Sequence, residues 1–383
     1  MNIQARSLKN NPLKKLESLG QAVWLDYIRR DLVTGGGLER LISEDGLRGM
    51  TSNPAIFEKA IAESDLYDAA IQEMALEGKD VNTIYETLSQ QDVQNAADVF
   101  RPLFDRTDGE DGYVSLEVNP HLAHDTEGTI SEGRRLWAAL DRPNVFIKVP
   151  ATAEGVPAIR QLISDGININ VTLLFGLPRY RAVTEAYLEG LEERLAQGKP
   201  VSRIASVASF FLSRIDTVVD PVLEKIIGSG GEKKEIARQA IGETAISSAK
   251  LAYQIYLDIF CSNRFTELEA KGARVQRLLW ASTSSKNPAQ SDVKYVEQLI
   301  GNNTVTTLPP QTLDAYRDHG HPELTIHSGV EKARRVLEIL PELGVDLDQV
   351  ARQLEDEGVG KFNEPFEKLM ESLASKSHRK ENG

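Results

Sequence analysis

The chain has 383 residues, of which 41% are hydrophobic and 26% charged, and its formal net charge is −13. This composition lies near the globular average and excludes a disordered or collagen-like chain. The excess of acids argues against DNA or RNA as the main partner, because few cations remain to neutralise phosphates.

The length suits one large α/β barrel or two to three smaller domains. A single cysteine, Cys261, rules out an intrachain disulfide and fits a reducing compartment. No run approaches the ~18 apolar residues of a membrane span, and residues 1–20 lack the apolar core of a signal peptide. We therefore expect a cytoplasmic protein with no membrane partner.

Strand-like apolar runs alternate with helical patterns along most of the chain. In chain order, the runs are 22–28, 47–53, 113–119, 144–149, 167–174, 203–211, 274–282 and 303–308. Alternation of this kind indicates βαβ units and a parallel sheet covered by helices. Eight units in about 300 residues favour a closed (β/α)8 TIM barrel, with a doubly wound open sheet as the main competitor.

Two connections are too long for one helix, and we predict helical insertions at 58–112 and 213–272, because no Gly/Ser/Pro-rich linker flanks them. Residues 310–375 are predicted to form C-terminal helices that cap the barrel, and 376–383 a polar tail. We therefore treat residues 1–383 as one barrel domain.

Lys148 departs from the apolar character of its strand. It lies in VFIKVP, whereas a buried parallel strand should consist almost entirely of Val, Ile and Leu. Burial disfavours the charged form of a lysine, and a neutral amine is what Schiff-base formation with a ketone requires. The alternatives are a lysine that reaches solvent from the strand end, or one that pairs with a neighbouring carboxylate.

Polar or aromatic residues stand near the ends of five other strands as well. They are Asp26, Asn53, Glu117, Asn170 with Thr172, and Ser209 with Phe211. Each could be a satisfied core polar group or a helix cap, the latter above all for Asn53 before Pro54. The carboxyl ends of barrel strands converge on one mouth, where active sites occur. The set as a whole therefore predicts an active site.

Two segments that contain these residues resemble the signature segments of transaldolases. They are GMTSNPAIF at 49–57 and VFIKVPATAEGVPAIRQL at 145–162. The segments YVSLEVNPHLAHDT, NVTLLF and VASFFLSRID are also similar to that family and occur in the expected order. The length resembles the longer bacterial form.

The resemblance implies four catalytic residues. Lys148 would be the Schiff-base lysine, and Asp26 would take the proton from the C4 hydroxyl as the C3–C4 bond breaks. Glu117 and Thr172 would hold the water that moves protons during carbinolamine formation and dehydration.

It also implies a set of substrate-binding residues. Asn53 and Asn170 would bind the hydroxyls of a three-carbon unit, Ser209 and Arg214 the substrate phosphate, and Phe211 would lie beside the imine.

A second phosphate-binding arginine is expected after the seventh strand, but the sequence ASTSSKN offers Ser282, Ser284 and Lys286 there. Lys286 is our candidate, although a lysine binds phosphate as a point charge without the bidentate fork of arginine.

A member of this family would be a transferase in the non-oxidative pentose phosphate pathway. It would transfer a dihydroxyacetone unit from sedoheptulose 7-phosphate or fructose 6-phosphate to glyceraldehyde 3-phosphate or erythrose 4-phosphate, as a monomer or homodimer. No cofactor or metal is expected, because the six histidines and one cysteine show no ligand-like pairing. A fructose 6-phosphate aldolase and a noncatalytic sugar-phosphate-binding barrel are the alternatives.

Overall fold

Eight short strands form a closed parallel barrel in a computed structural model that describes residues 11–378. The strands are β1 Gln21–Asp26, β2 Leu47–Thr51, β3 Tyr113–Glu117, β4 Val145–Pro150, β5 Ile169–Leu174, β6 Ser206–Phe211, β7 Gln276–Ala281 and β8 Thr304–Leu308. They pair in chain order, and β8 returns to β1. The predicted (β/α)8 barrel is confirmed, and the open sheet is excluded.

Seven of the eight strands are shorter than the apolar runs that predicted them, and β4 is equal in length to its run. The sixth run was predicted from residue 203, but β6 begins at Ser206 because the chain turns into the strand at Val201–Ile204, where the Ile204 N–H donates to the Val201 carbonyl. The second run was predicted to reach Asn53, but β2 ends at Thr51 and Asn53 caps the next helix.

Helices surround the barrel. They are α1 Pro12–Ser18, α2 Arg30–Thr34, α3 Gly37–Arg40, α4 Pro54–Phe57, α5 Asp68–Leu76, α6 Val81–Arg106, α7 Thr126–Leu140, α8 Gly155–Asp165, α9 Leu177–Ala196, α10 Ser213–Ser229, α11 Lys234–Ala240, α12 Thr244–Phe260, α13 Asn263–Glu269, α14 Lys294–Glu297, α15 Pro310–His319, α16 Val330–Ile339 and α17 Leu347–Ser377. The two long connections are helical as expected. Within residues 11–378 no helix has both the length and the apolar character needed to cross a bilayer.

The last helix, α17, extends further than the sequence suggested. The polar tail was predicted to begin at 376, yet α17 continues to Ser377. The end of the helix is held by Lys376, because its ammonium donates to the carbonyl of Ile61 at 3.0 Å and lies 2.6 Å from Asp68 Oδ1. Residues 379–383 of the predicted tail, and residues 1–10, lie outside the described part of the chain.

Large side chains fill the barrel interior. The Trp24 ring stacks on Phe146 at 5.8 Å between centroids, and Phe146 stacks on Tyr113 at 4.3 Å. Trp24 fits because β2 has a glycine opposite it: a Cβ on Gly49 would lie 2.5 Å from the Trp24 ring. The interior is therefore a packed core, and open space for a ligand is left at its ends.

Charged side chains close the amino end of the barrel. Arg277 of β7 donates from Nη1 to Asp111 Oδ1 at 3.0 Å, and Arg48 of β2 donates to Asp111 Oδ2 at 3.0 Å. Asp111 and Arg277 are both buried. One carboxylate thus compensates two cations and links β7 to β2 and to the turn before β3.

We expect the change Asp111→Ala to lower the free energy of unfolding by about 3–5 kcal/mol, because it leaves the buried Arg277 guanidinium without a counter-charge, whereas Arg48 keeps its ion pair with Glu17. Urea unfolding followed by circular dichroism measures this. The control is Asp105→Ala, which breaks the exposed Arg101–Asp105 pair and should change stability by no more than about 0.5 kcal/mol. Equal losses in the two variants would contradict the assigned role of Asp111.

Candidate active site

A cavity of about 240 Å³ lies at the carboxyl ends of the strands. Eight of the ten predicted site residues line it: Asp26, Asn53, Lys148, Thr172, Ser209, Phe211, Arg214 and Lys286. The remaining two, Glu117 and Asn170, are buried in the barrel wall and do not line the cavity. The mouth of the barrel therefore brings together residues that are up to 260 positions apart in the chain.

Lys148 is held at the centre of this site by strand register. It pairs with Glu117 of β3 on one side and with Asn170 of β5 on the other. Its side chain is only 5% exposed, so it does not reach solvent from the strand end. The ammonium donates to the Ser52 carbonyl at 3.2 Å and lies 3.4 Å from Glu117 Oε2. Lys148 therefore does not reach solvent, and it pairs with a neighbouring carboxylate while it lines the cavity.

The two site carboxylates are both affected by burial. Burial raises the pKa of Glu117 to about 7, although the nearby Lys148 cation opposes this. Burial also raises the pKa of Asp26, against the opposing charges of Lys148 and Arg214. A carboxyl group that titrates near neutral pH can both donate and accept a proton under working conditions.

Several buried polar atoms of the site have no hydrogen-bond partner. They include both carboxylate oxygens of Glu117, the hydroxyl of Thr172 and Nη1 of Arg214. Unpaired buried polar groups are costly and infrequent in folded proteins, so a cluster of them calls for an explanation. Water or a substrate at the mouth would supply the missing partners.

Asn170 belongs to a hydrogen-bonded chain behind the cavity wall. Its amide donates to Ser115 Oγ at 3.0 Å, and its Oδ1 accepts from Ser209 Oγ at 2.7 Å. Ser209 lines the cavity, whereas Asn170 does not. The geometry shows Asn170 holding the Ser209 hydroxyl in place.

Asn53 fulfils the helix-cap role that the sequence left open. Its Oδ1 accepts a hydrogen bond from the Ile56 N–H at 3.0 Å and so caps the start of α4. Pro54 occupies the first helical position. Asn53 also lines the cavity. The cap uses Oδ1, so Nδ2 is the atom of this amide that can donate to a substrate hydroxyl.

Two cationic side chains, Arg214 and Lys286, line the cavity. The Arg214 guanidinium lies over the Phe211 ring, 5.4 Å from its centre. Lys286 is exposed and donates to Ser284 Oγ at 2.7 Å. Burial lowers the pKa of Arg214, against the opposing effect of Glu357 and Asp26. These cations can bind an anion such as a phosphate.

Two contributors to the site are not apparent from the sequence. The Ser52 carbonyl accepts the hydrogen bond from Lys148, and the ring of Phe362 in α17 lines the cavity. A backbone acceptor leaves no mark in a sequence. Phe362 lies far along the chain in a helix whose docking position local patterns do not reveal. Among residues 11–378 no three histidine, cysteine or acidic side chains converge as a metal site would require.

Comparison with known proteins gives consistent matches along the chain. A family model described as Transaldolase/Fructose-6-phosphate aldolase matches residues 23–373. The chain is 49% identical over 370 residues to "Transaldolase" from Trichodesmium erythraeum, covering 96% of this chain and 97% of the relative. It is 46% identical over 371 residues to "Transaldolase 2" from Nostoc sp. (96% and 97% covered). It is 47% identical over 363 residues to "Transaldolase" from Thiobacillus denitrificans (95% and 99% covered).

The raised pKa of Glu117 has a consequence for stability. Its usual value is 4.5 and its folded value is about 7. Between these values the unfolded chain releases a proton that the folded chain keeps, so the free energy of unfolding falls as pH rises. This contribution amounts to about 3 kcal/mol in total.

We therefore expect Glu117→Gln to flatten the pH dependence. From pH 5 to pH 8, the wild type should lose about 2–3 kcal/mol relative to the variant in urea unfolding. The control Glu127→Gln alters an exposed acid and should leave the wild-type slope intact. Parallel curves for wild type and Glu117→Gln would contradict the assigned pKa.

Proposed function

The chain belongs to the transaldolase/fructose-6-phosphate aldolase family and its activity is that of a transaldolase, and we propose that Lys148 carries this activity as the Schiff-base lysine. The observation that supports the role is a lysine buried at the barrel mouth, with its ammonium 3.4 Å from Glu117 and facing a cavity that contains Asp26. The relatives cited above are named transaldolases, which favours transfer over simple release.

The first half of the reaction forms the imine. The Lys148 ammonium first gives up a proton to Glu117 through the bound water, and the neutral amine then attacks the C2 carbonyl of a ketose phosphate, either sedoheptulose 7-phosphate or fructose 6-phosphate, and gives a carbinolamine. Loss of water from C2 then gives the protonated imine. Glu117 and the Thr172 hydroxyl serve this step by holding the water that carries the protons, since both have buried oxygens without partners.

The second half breaks and remakes a carbon–carbon bond. Asp26 takes the proton of the C4 hydroxyl, the C3–C4 bonding electrons flow into the imine, and an aldose phosphate leaves an enamine on Lys148. The enamine then attacks the aldehyde of glyceraldehyde 3-phosphate or erythrose 4-phosphate. Asp26 returns the proton to the new alkoxide, and hydrolysis of the imine releases the product ketose.

The substrate is positioned by its hydroxyls and its phosphate. Asn53 donates to a hydroxyl of the three-carbon unit, and Ser209, Arg214 and Lys286 form the phosphate end. Phe211 lies beside the imine. Direct contact of Asn170 with a substrate hydroxyl stays a prediction, since its amide is engaged by Ser115 and Ser209.

The setting of the reaction is also a proposal. Sugar phosphates are charged and do not diffuse across membranes, and the acidic composition favours neither nucleic acid nor membrane surfaces as partners. We place the enzyme in the cytoplasm, in the non-oxidative pentose phosphate pathway, as a monomer or homodimer.

Borohydride reduction in the presence of fructose 6-phosphate should trap a three-carbon adduct on Lys148, located by mass spectrometry of peptides. Lys148→Arg keeps the positive charge but cannot form the imine, so activity should fall by several orders of magnitude. The matched control is Lys250→Arg, a buried lysine outside the cavity. Labelling of another lysine, or of none, would refute the proposed mechanism.

Removal of the phosphate contact should affect only phosphorylated substrates. A charge-assisted contact is worth roughly 1.5–3 kcal/mol, so Arg214→Ala should raise KM for fructose 6-phosphate about tenfold or more. Lys286→Ala should raise it less, because Lys286 is exposed. Steady-state kinetics with unphosphorylated fructose should show little change, and Arg352→Ala, outside the cavity, serves as control. Equal losses for both sugars would argue against the assignment.

A further inference from the structure

The C-terminal helix α17 contributes an aromatic ring to the reacting amine. Phe362 is 4% exposed and lines the cavity beside Lys148. The Lys148 ammonium lies over the face of this ring, 5.5 Å from its centre. A cation in this position is attracted by the negative face of the ring, more strongly when water is excluded.

The structure fixes α17 in this position at several points. Arg179 of α9 pairs with Glu355 at 3.2 Å, and Lys376 anchors the far end of the helix to Asp68. Between them, Gly358 lies against Leu173, where an added Cβ would come within 2.9 Å of a side-chain carbon. This close contact is one helical turn before Phe362, so the ring is set by the packing of the helix.

Leu173 in turn lies in β5, the strand that carries Thr172. It follows Thr172 and has a φ of 60°, at the point where the register between β5 and β6 shifts. A non-glycine residue with such a φ is strained and persists only when its surroundings hold it. Gly358 is part of those surroundings, so the docking of α17 is coupled to the strand that carries Thr172.

We propose that Phe362 caps the imine formed on Lys148: its ring face stabilises the cationic imine, and its bulk keeps water from the three-carbon enamine until the acceptor arrives. The inference rests on the proposed function of Lys148. It assigns to α17 a part in the reaction and not only in the fold.

The chemistry requires such a cap because the enamine has two fates. Attack on an aldehyde transfers the unit, whereas protonation at C3 followed by hydrolysis releases dihydroxyacetone and regenerates the amine. Phe211 and Phe362 both line the cavity, and neither side chain carries a hydroxyl that could deliver a proton. An apolar cover thus favours transfer.

Three variants separate the ring from its volume. Phe362→Leu keeps an apolar cover without an aromatic face, Phe362→Ala removes both, and Phe362→Tyr retains the face. The matched control is Phe366→Leu, one turn later in α17, whose ring packs on Tyr85 at 5.3 Å and does not line the cavity. Thermal unfolding identifies any variant that has lost its fold.

Two readouts are measured on the full-length enzyme: the fraction trapped by borohydride at limiting fructose 6-phosphate, and free dihydroxyacetone released without an acceptor. We expect Phe362→Leu to lower the trapped fraction about threefold to tenfold, in line with a desolvated cation–aromatic contact. Phe362→Tyr should restore trapping. Phe362→Ala should also raise dihydroxyacetone release about tenfold or more relative to transfer, because water then reaches the enamine.

The outcomes distinguish this proposal from the assignment of Lys148. If the wild type is trapped at Lys148 and transfers normally, but Phe362→Leu behaves like Phe366→Leu in both assays, the cap is refuted while the Schiff-base role stands. If the wild type gives no adduct at all, the proposed function fails first. If Phe362→Ala does not fold, the comparison of the Leu and Tyr variants decides: loss of trapping in both overturns the role of the ring face.

Discussion

Two opposite charges, the Lys148 ammonium and the Glu117 carboxylate, lie 3.4 Å apart at neighbouring positions of β3 and β4, and both side chains are about 5% exposed or less. Burial of two such charges costs several kcal/mol each, and their attraction offsets this only in good geometry. Neither oxygen of Glu117 accepts a hydrogen bond, so the compensation is incomplete. The barrel tolerates this because strand pairing fixes both backbones independently of the side chains.

The incomplete compensation of these charges is reflected in two further features of the site. Glu117 keeps a proton more readily than a solvated acid, and the oxygens of Thr172 and Glu117 are left for water or substrate. At the opposite end of the barrel, Asp111 accepts hydrogen bonds on both oxygens from Arg48 and Arg277. The Asp111 carboxylate at the amino end is therefore satisfied on both oxygens, whereas neither oxygen of Glu117 at the mouth has a hydrogen-bond partner, which costs stability.

Much of this site could be predicted from the sequence, because polar residues inside apolar strands are conspicuous and the barrel topology determines where strand ends meet. Lys148 and Asp26 were placed correctly at the mouth for this reason. Strand periodicity could not tell that Asn170 would be engaged by Ser115 and Ser209, since those partners come from other strands. It also could not place Phe362, whose helix reaches the mouth through tertiary packing alone.

The helix α17 follows the last strand of the barrel, so side-chain contacts hold it in place over the cavity. Its anchors, Glu355 with Arg179 and Lys376 with Asp68, lie on either side of the segment that faces the cavity. Segments of lower stability open locally without global unfolding. Opening of α17 would move Phe362 away from Lys148 and relieve the contact of Gly358 with Leu173 at once. In the proposed mechanism, access of water to the intermediate is thus tied to the docking of a helix about 200 residues beyond Lys148 in the sequence, so the fidelity of transfer would depend on tertiary packing as much as on the reacting groups.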